Sequence, residues 1–198
     1  MLLLAVMLSA CAPPKKISLT PPNEQQWQQH QQQVSAIQQW NISGRMAIET
    51  ADNGGQVDIF WQQEKNDVYD IRMIAPFGGG TSVLTSRPEG VTFTNGNGEQ
   101  IVEQNADRLM ERIEGWRFPV SGLRYWVLGV PAPQNNARLI NWNEQGYLNV
   151  MEQDGWRIEM LNYKQVGRYT LPKKIFISRL DRDDLSVRMV IRKWGFTD

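Results

Sequence analysis

The feature that most limits what this chain can become is a two-residue rhythm of apolar side chains, repeated in short runs between turn signals. Ile42, Met46 and Ile48 begin it, Val57, Ile59 and Trp61 continue it, and Tyr69, Ile71 and Met73 follow. Successive side chains of a strand point to opposite faces, so each run buries one face and wets the other. The separators are Asp52-Asn53-Gly54-Gly55, Lys65-Asn66-Asp67, and Pro76 with three glycines close behind. Residues 91–94 and 99–102 flank Asn95-Gly96-Asn97-Gly98, a strong hairpin signal. The rhythm returns at Leu148 and Val150, at Trp156, Ile158 and Met160, at Ile175 and Ile177, and from Leu185 through Val187 and Met189 to Ile191. These runs predict a long, strongly curved antiparallel sheet with one buried face per strand.

Three stretches follow a helical period instead. Between residues 23 and 40 the chain is rich in glutamine, yet Trp27, His30, Val34, Ile37 and Trp40 recur every three or four residues and mark one apolar stripe. Leu109, Met110 and Ile113 share one side of residues 106–113. Leu123, Trp126 and Val127 do the same in residues 122–128, before Gly129-Val130-Pro131-Ala132-Pro133 ends the helical pattern. The fold class expected is mainly β (α+β), with a few helices over the concave side of the sheet. Such a sheet either fills its interior with side chains or keeps a cavity for an apolar ligand.

The N-terminus reads differently. Residues 2–10 (LLLAVMLSA) form an apolar run of nine, about half of what a spanning helix needs, and suited to the core of a secretory signal. The run ends in Leu8-Ser9-Ala10-Cys11, which resembles the lipobox of bacterial lipoproteins, although no Lys or Arg precedes it. The resemblance implies cleavage before Cys11, an S-diacylglycerol and an N-acyl group on that residue, and no other cofactor. Residues 12–22 carry four prolines and no periodicity, so they read as an extended tether. Ala12, where inner-membrane lipoproteins of this kind carry Asp, implies export to the outer membrane. The expected organisation is a signal peptide over 1–10, a lipidated tether over 11–22 and one domain over 23–198.

Covalent chemistry finds little support. With one cysteine no intramolecular disulfide forms, and one His plus one Cys cannot make a transition-metal site by spacing. His30 lies on the glutamine-rich stripe, where packing is a better reading than general-base catalysis. Gly78-Gly79-Gly80 lacks the Lys-Ser/Thr ending of a phosphate loop. Asp181-Arg182-Asp183-Asp184 lacks the glycine and distal glutamate of a calcium loop and reads as a solvated turn. Lys plus Arg equals Asp plus Glu at 21 each, so no overall field favours nucleic acid. Local clusters, such as Lys173-Lys174 and Arg188, Arg192 and Lys193, read as solvated strand faces. The expectation is a protein that is not an enzyme and binds neither metal nor nucleic acid.

Several strings then resemble one family. Trp27-Gln28-Gln29-His30-Gln31, Ile59-Phe60-Trp61-Gln62-Gln63, Ala75-Pro76-Phe77-Gly78, and the run LRYWVLGVP over residues 123–131 occur in this order behind a lipobox. Together they resemble the LolB family, from about residue 24 to near the C-terminus. The resemblance implies an incomplete antiparallel β-barrel, covered by helices, that encloses an apolar cavity. It implies a monomeric receptor that accepts lipoproteins from a LolA-like periplasmic carrier, holds their acyl chains, and inserts them into outer-membrane lipid. Wall or lid candidates at inward-phase positions are Met46, Ile48, Ile59, Trp61, Ile71, Met73, Trp126, Val150, Ile158 and Met160. The loop Pro76, Phe77, Gly78 corresponds to a protruding loop whose tip residue, a leucine in the family, is needed for membrane insertion. The alternative is a lipid-binding or structural envelope lipoprotein without carrier hand-off.

Overall fold

The computed structural model describes residues 21, 23–114, 119–182 and 184–196, so Cys11, the signal and nearly all of the tether lie outside the described residues. Helix α1 (Glu24–Ser35) is opened by Asn23, whose side chain accepts from the Gln26 N–H at 3.0 Å. It buries Trp27, His30 and Val34 but stops at Ser35, earlier than the stripe in the sequence suggests. Ile37 lies in the connection beyond the helix. Trp40 opens strand β1 (Trp40–Glu49), where it starts the inward series that continues through Ile42 and Met46.

A meander follows: β2 (Gly54–Gln63), β3 (Tyr69–Ile74), β4 (Thr81–Arg87), β5 (Gly90–Thr94) and β6 (Gln100–Glu103). Helices α2 (Ala106–Glu114) and α3 (Val120–Trp126) come next. The chain then forms β7 (Ala137–Trp142), β8 (Leu148–Gln153) and β9 (Trp156–Leu161), and a separate two-stranded ribbon, β10 (Lys164–Val166) with β11 (Tyr169–Leu171). Strands β12 (Lys174–Arg179) and β13 (Ser186–Phe196) return to the main sheet. Its order is β6-β5-β4-β3-β2-β1-β13-β12-β9-β8-β7, antiparallel at every pairing. The last strand thus pairs with the first, and β6 and β7 remain as two edges not bonded to each other. The barrel is incomplete.

The meander sets two ends. The β1–β2 hairpin, the β3–β4 connection and the β5–β6 hairpin lie at one end, here called the loop end. The β2–β3 and β4–β5 turns lie at the far end. An added Cβ on Gly96 would sit 3.4 Å from the Gly80 Cα, which places two of the loop-end connections in contact.

Two irregularities adjust the wall. A bulge at Arg192 of β13, opposite the Ser43–Gly44 step of β1, turns both Arg192 and Lys193 to solvent and returns Trp194 to the core side. Gly44 is required there, because a Cβ would lie 2.2 Å from the Val190 carbonyl oxygen. In β7, register shifts around Leu139, Asn141 and Trp142 displace the pairing with β8. Val150 pairs with Glu159 on the face opposite Met151 and is buried there. Met151 pairs with Ile158 and takes the core position.

Candidate functional site

An apolar cavity of about 200 Å³ lies under the helices, against the β1–β5 half of the sheet. Its wall is built by inward positions of consecutive strands: Met46 and Ile48 from β1, Val57, Ile59 and Trp61 from β2, Ile71 and Met73 from β3, Leu84 from β4 and Phe93 from β5. Met110 and Ile113 of α2 and Val120 and Leu123 of α3 close it, and Ala75, Gly79, Gly80 and Ser82 carry it to the loop end. Met73, Phe93, Met110 and Ile113 are half-buried and packed against the core from the cavity side.

Six of the sequence candidates, Met46, Ile48, Ile59, Trp61, Ile71 and Met73, come together here. The other four do not. Ile158 and Met160 are fully buried in the solid packing of β9 against its neighbours, and Val150, buried as well, pairs with Glu159 on the face opposite Ile158. Trp126 is fully buried and donates its Nε1–H to Gln153 at 2.8 Å. Period alone cannot separate these groups, since a strand pointing into a hollow and one pointing into packed side chains read alike. The helical contributions, Met110, Ile113 and Leu123, stood in the apolar stripes but not among the wall candidates.

The two covering helices are held differently. Gln153, itself buried, accepts from Trp126 Nε1 and from the Ala132 N–H at 3.0 Å, and donates to the Ala132 and Asn135 carbonyls at 2.8 Å. All four of its hydrogen-bonding positions are used, and they tie α3 to β8. Helix α2 has the Asn105 cap, hydrogen bonds from the Ser121 hydroxyl and N–H to Asp107, and an Arg112–Glu103 ion pair at 2.8 Å. These contacts are exposed, and exposed pairs contribute at most about 1 kcal/mol each.

At the loop end, Ala75, Pro76, Phe77, Gly78, Gly79 and Gly80 fold into a tight projection. The Ala75 N–H donates to the Gly80 carbonyl, and the Gly79 N–H to that of Pro76, both at 3.1 Å. Phe77 sits at its tip, completely exposed, with left-handed backbone angles φ 54° and ψ 33°. For a bulky L-residue that conformation costs about 1–2 kcal/mol. Leaving the ring in water forgoes roughly 1.5–3 kcal/mol more. Both costs are local, and a strained residue is a pointer toward use.

His30 is buried beside Trp27 and edge-on to Tyr147, with ring centroids 4.8 Å apart. Desolvation lowers its pKa to about 4, and its Nε2 has no partner among the described residues. The Arg182–Asp184 and Arg179–Asp181 ion pairs organise the β12–β13 turn. Among the described residues no group of His, Cys, Asp or Glu side chains is placed to hold a metal ion.

With this geometry in hand, the relatives are informative. The family model described as outer membrane lipoprotein LolB matches residues 38–194. The outer-membrane lipoprotein LolB of Stutzerimonas stutzeri is 35% identical over 193 residues, covering 96% of this chain and 91% of its own. That of Pseudomonas fluorescens is 37% identical over 172 residues, covering 87% and 82%. Among solved structures, a DUF1329 family protein from Desulfovibrio piger superposes with a TM-score of 0.54 at 6% identity, covering 84% of this chain and 88% of its own. A LolA superfamily protein from Nitrosomonas europaea gives 0.52 at 8% identity, covering 86% and 93%. At such low identity the last two speak to the fold alone.

Proposed function

The chain belongs to the LolB family of outer-membrane lipoproteins, and on that premise we propose that its cavity receives the acyl chains of other lipoproteins and its Phe77 loop delivers them into the membrane. The carrier that brings them is a LolA-like periplasmic protein, and the anchor is lipid on Cys11. The observation that carries this reading is an apolar cavity bordered by Gly79 and Gly80, directly beside a fully exposed Phe77.

The physical need is large. Three acyl chains of about fourteen buried methylenes each, at about 0.8 kcal/mol per methylene, cost on the order of 30 kcal/mol to leave in water. Cargo must therefore pass from one apolar shelter to another and then into lipid. A dry cavity of about 150 Å³ holds a single benzene, so the 200 Å³ found here holds only a segment of one chain. Capacity grows by moving a wall, and α2 is a wall that covers the cavity with the half-buried Met110 and Ile113. Lifting it breaks exposed polar contacts, the half-buried packing of Met110 and Ile113, and the buried seating of Ala106 and Leu109. An incoming acyl chain replaces that apolar contact.

The test is Phe77→Glu. Uptake from a carrier–lipoprotein complex is expected to persist, while transfer of the lipoprotein into liposomes falls at least tenfold, at unchanged thermal stability. Normal transfer by this variant would remove the insertion role. The structural-lipoprotein alternative predicts no uptake by the unsubstituted protein.

A further inference from the structure

The concave face changes character along its length. The inward positions of β2 run Val57, Ile59, Trp61 and then Gln63, three apolar side chains followed by a buried amide. Helix α3 shows the same gradient, with Val120 and Leu123 on the apolar cavity and Arg124 and Tyr125 on a second cleft of about 350 Å³ at the far end. Gln38, Lys65, Asn66 and Asp67 also border that cleft. Trp40 borders the cleft and Trp61 the cavity, both buried and packed against Trp194 of β13 and Tyr69 of β3. The Trp40 and Trp61 rings are 4.9 Å apart, and Trp61 donates its Nε1–H to Gln63 Oε1 at 3.2 Å across the divide.

We propose that the far-end cleft holds the polar linker and first residues of an acylated peptide, so that its acyl chains point toward Phe77. The inference rests on the acyl-binding reading above and adds an orientation to it. An amphiphile lowers its free energy most where its apolar and polar parts each meet like surroundings. Here α3 passes alongside both compartments, giving such a molecule a continuous support. The charges of the cleft offset one another, with Lys65 and Arg124 against Glu64 and Asp67, and Arg124 paired to Asp67. That suits a neutral stretch of amides and esters, not an ionic headgroup. The orientation also matches the task, because the chains then lead at the end where Phe77 enters lipid and the peptide stays with water.

The experiment uses a synthetic peptide bearing a triacylated cysteine, with a benzophenone on its fourth residue, and a hydrophobic dye that reports occupancy of the apolar cavity. After irradiation, adducts are expected mainly on residues 35–40, 63–67 and 124–125, at least fivefold over those on 75–80 and 95–99. Adducts concentrated at 75–80 and 95–99, or divided evenly between the ends, overturn the orientation while dye displacement upholds acyl binding. A peptide that displaces no dye and leaves no adduct overturns the acyl-binding reading, and this inference with it.

Discussion

The two halves of the sheet follow one pattern of alternation and put it to different uses. Across β9, β12 and β13 the inward residues Ile158, Met160, Ile177, Val187 and Met189 are 0–1% exposed and meet other side chains on every side. Across β1 to β5 the equivalent positions include Ile48, Val57, Met73 and Phe93, which are only half-buried and face an open space. Each fully buried side chain of this size contributes roughly 1.5–3 kcal/mol, so the first half holds the fold together. The second half gives up part of that contribution to keep room. The covering helices differ in their polar ties, since α3 is joined to β8 through buried Gln153, whereas α2 adds exposed contacts to the burial of Ala106 and Leu109. The same strand chemistry thus yields either rigidity or capacity, depending on what lies across from it.

The comparison breaks most readily under truncation. Ile158→Ala is expected to cost about 3–4 kcal/mol in urea unfolding, through lost burial and a residual void, whereas Met73→Ala costs about 1 kcal/mol or less because it borders space already. Equal losses would erase the distinction between the halves. Gln153→Leu comes next, at about 2–3 kcal/mol, because it strands the Trp126 indole N–H, the Ala132 N–H and two carbonyls in a buried setting. It is also expected to raise hydrogen exchange in α3 toward the level of α2, and unchanged exchange would show that α3 is held by packing alone.

A third effect is set by pH. His30 is neutral when folded, with its pKa lowered from 6.5 to about 4 by burial. The unfolded chain takes up a proton near pH 6.5 and the folded one only near 4. Stability is therefore full well above pH 6.5 and falls as the pH drops toward 4, by on the order of 3 kcal/mol. Replacing His30 with Leu should flatten that part of the profile, and an identical acid slope in both proteins would show that other groups set it.

Legibility in the sequence tracked the chemistry of each segment. Strong alternation, as in Val57-Ile59-Trp61 or Trp156-Ile158-Met160, marked strands directly. β4 escaped notice because Thr81-Ser82-Val83-Leu84-Thr85-Ser86-Arg87 carries only one inward apolar residue, Leu84. β7 escaped because its irregular register breaks the rhythm at Leu139, Asn141 and Trp142. In β8 the register shift skips Asn149, so the core position after Leu148 is Met151 and not Val150. The cavity itself was half visible. The strand residues that line it carry the same period as those that fill the core, and only the position of α2 and α3 distinguishes them. Phe77 was easier, since an aromatic ring between Pro76 and three glycines has little neighbouring chain to fold against.

The two free edges, β6 and β7, have a mechanical result. A cylinder closed by hydrogen bonds has its bore fixed by strand number and stagger. Along this unzipped seam the wall can splay without a single ladder bond being lost. Guest dimensions are thus not dictated by the girth of the host, and one such container suits fatty chains of differing length and number.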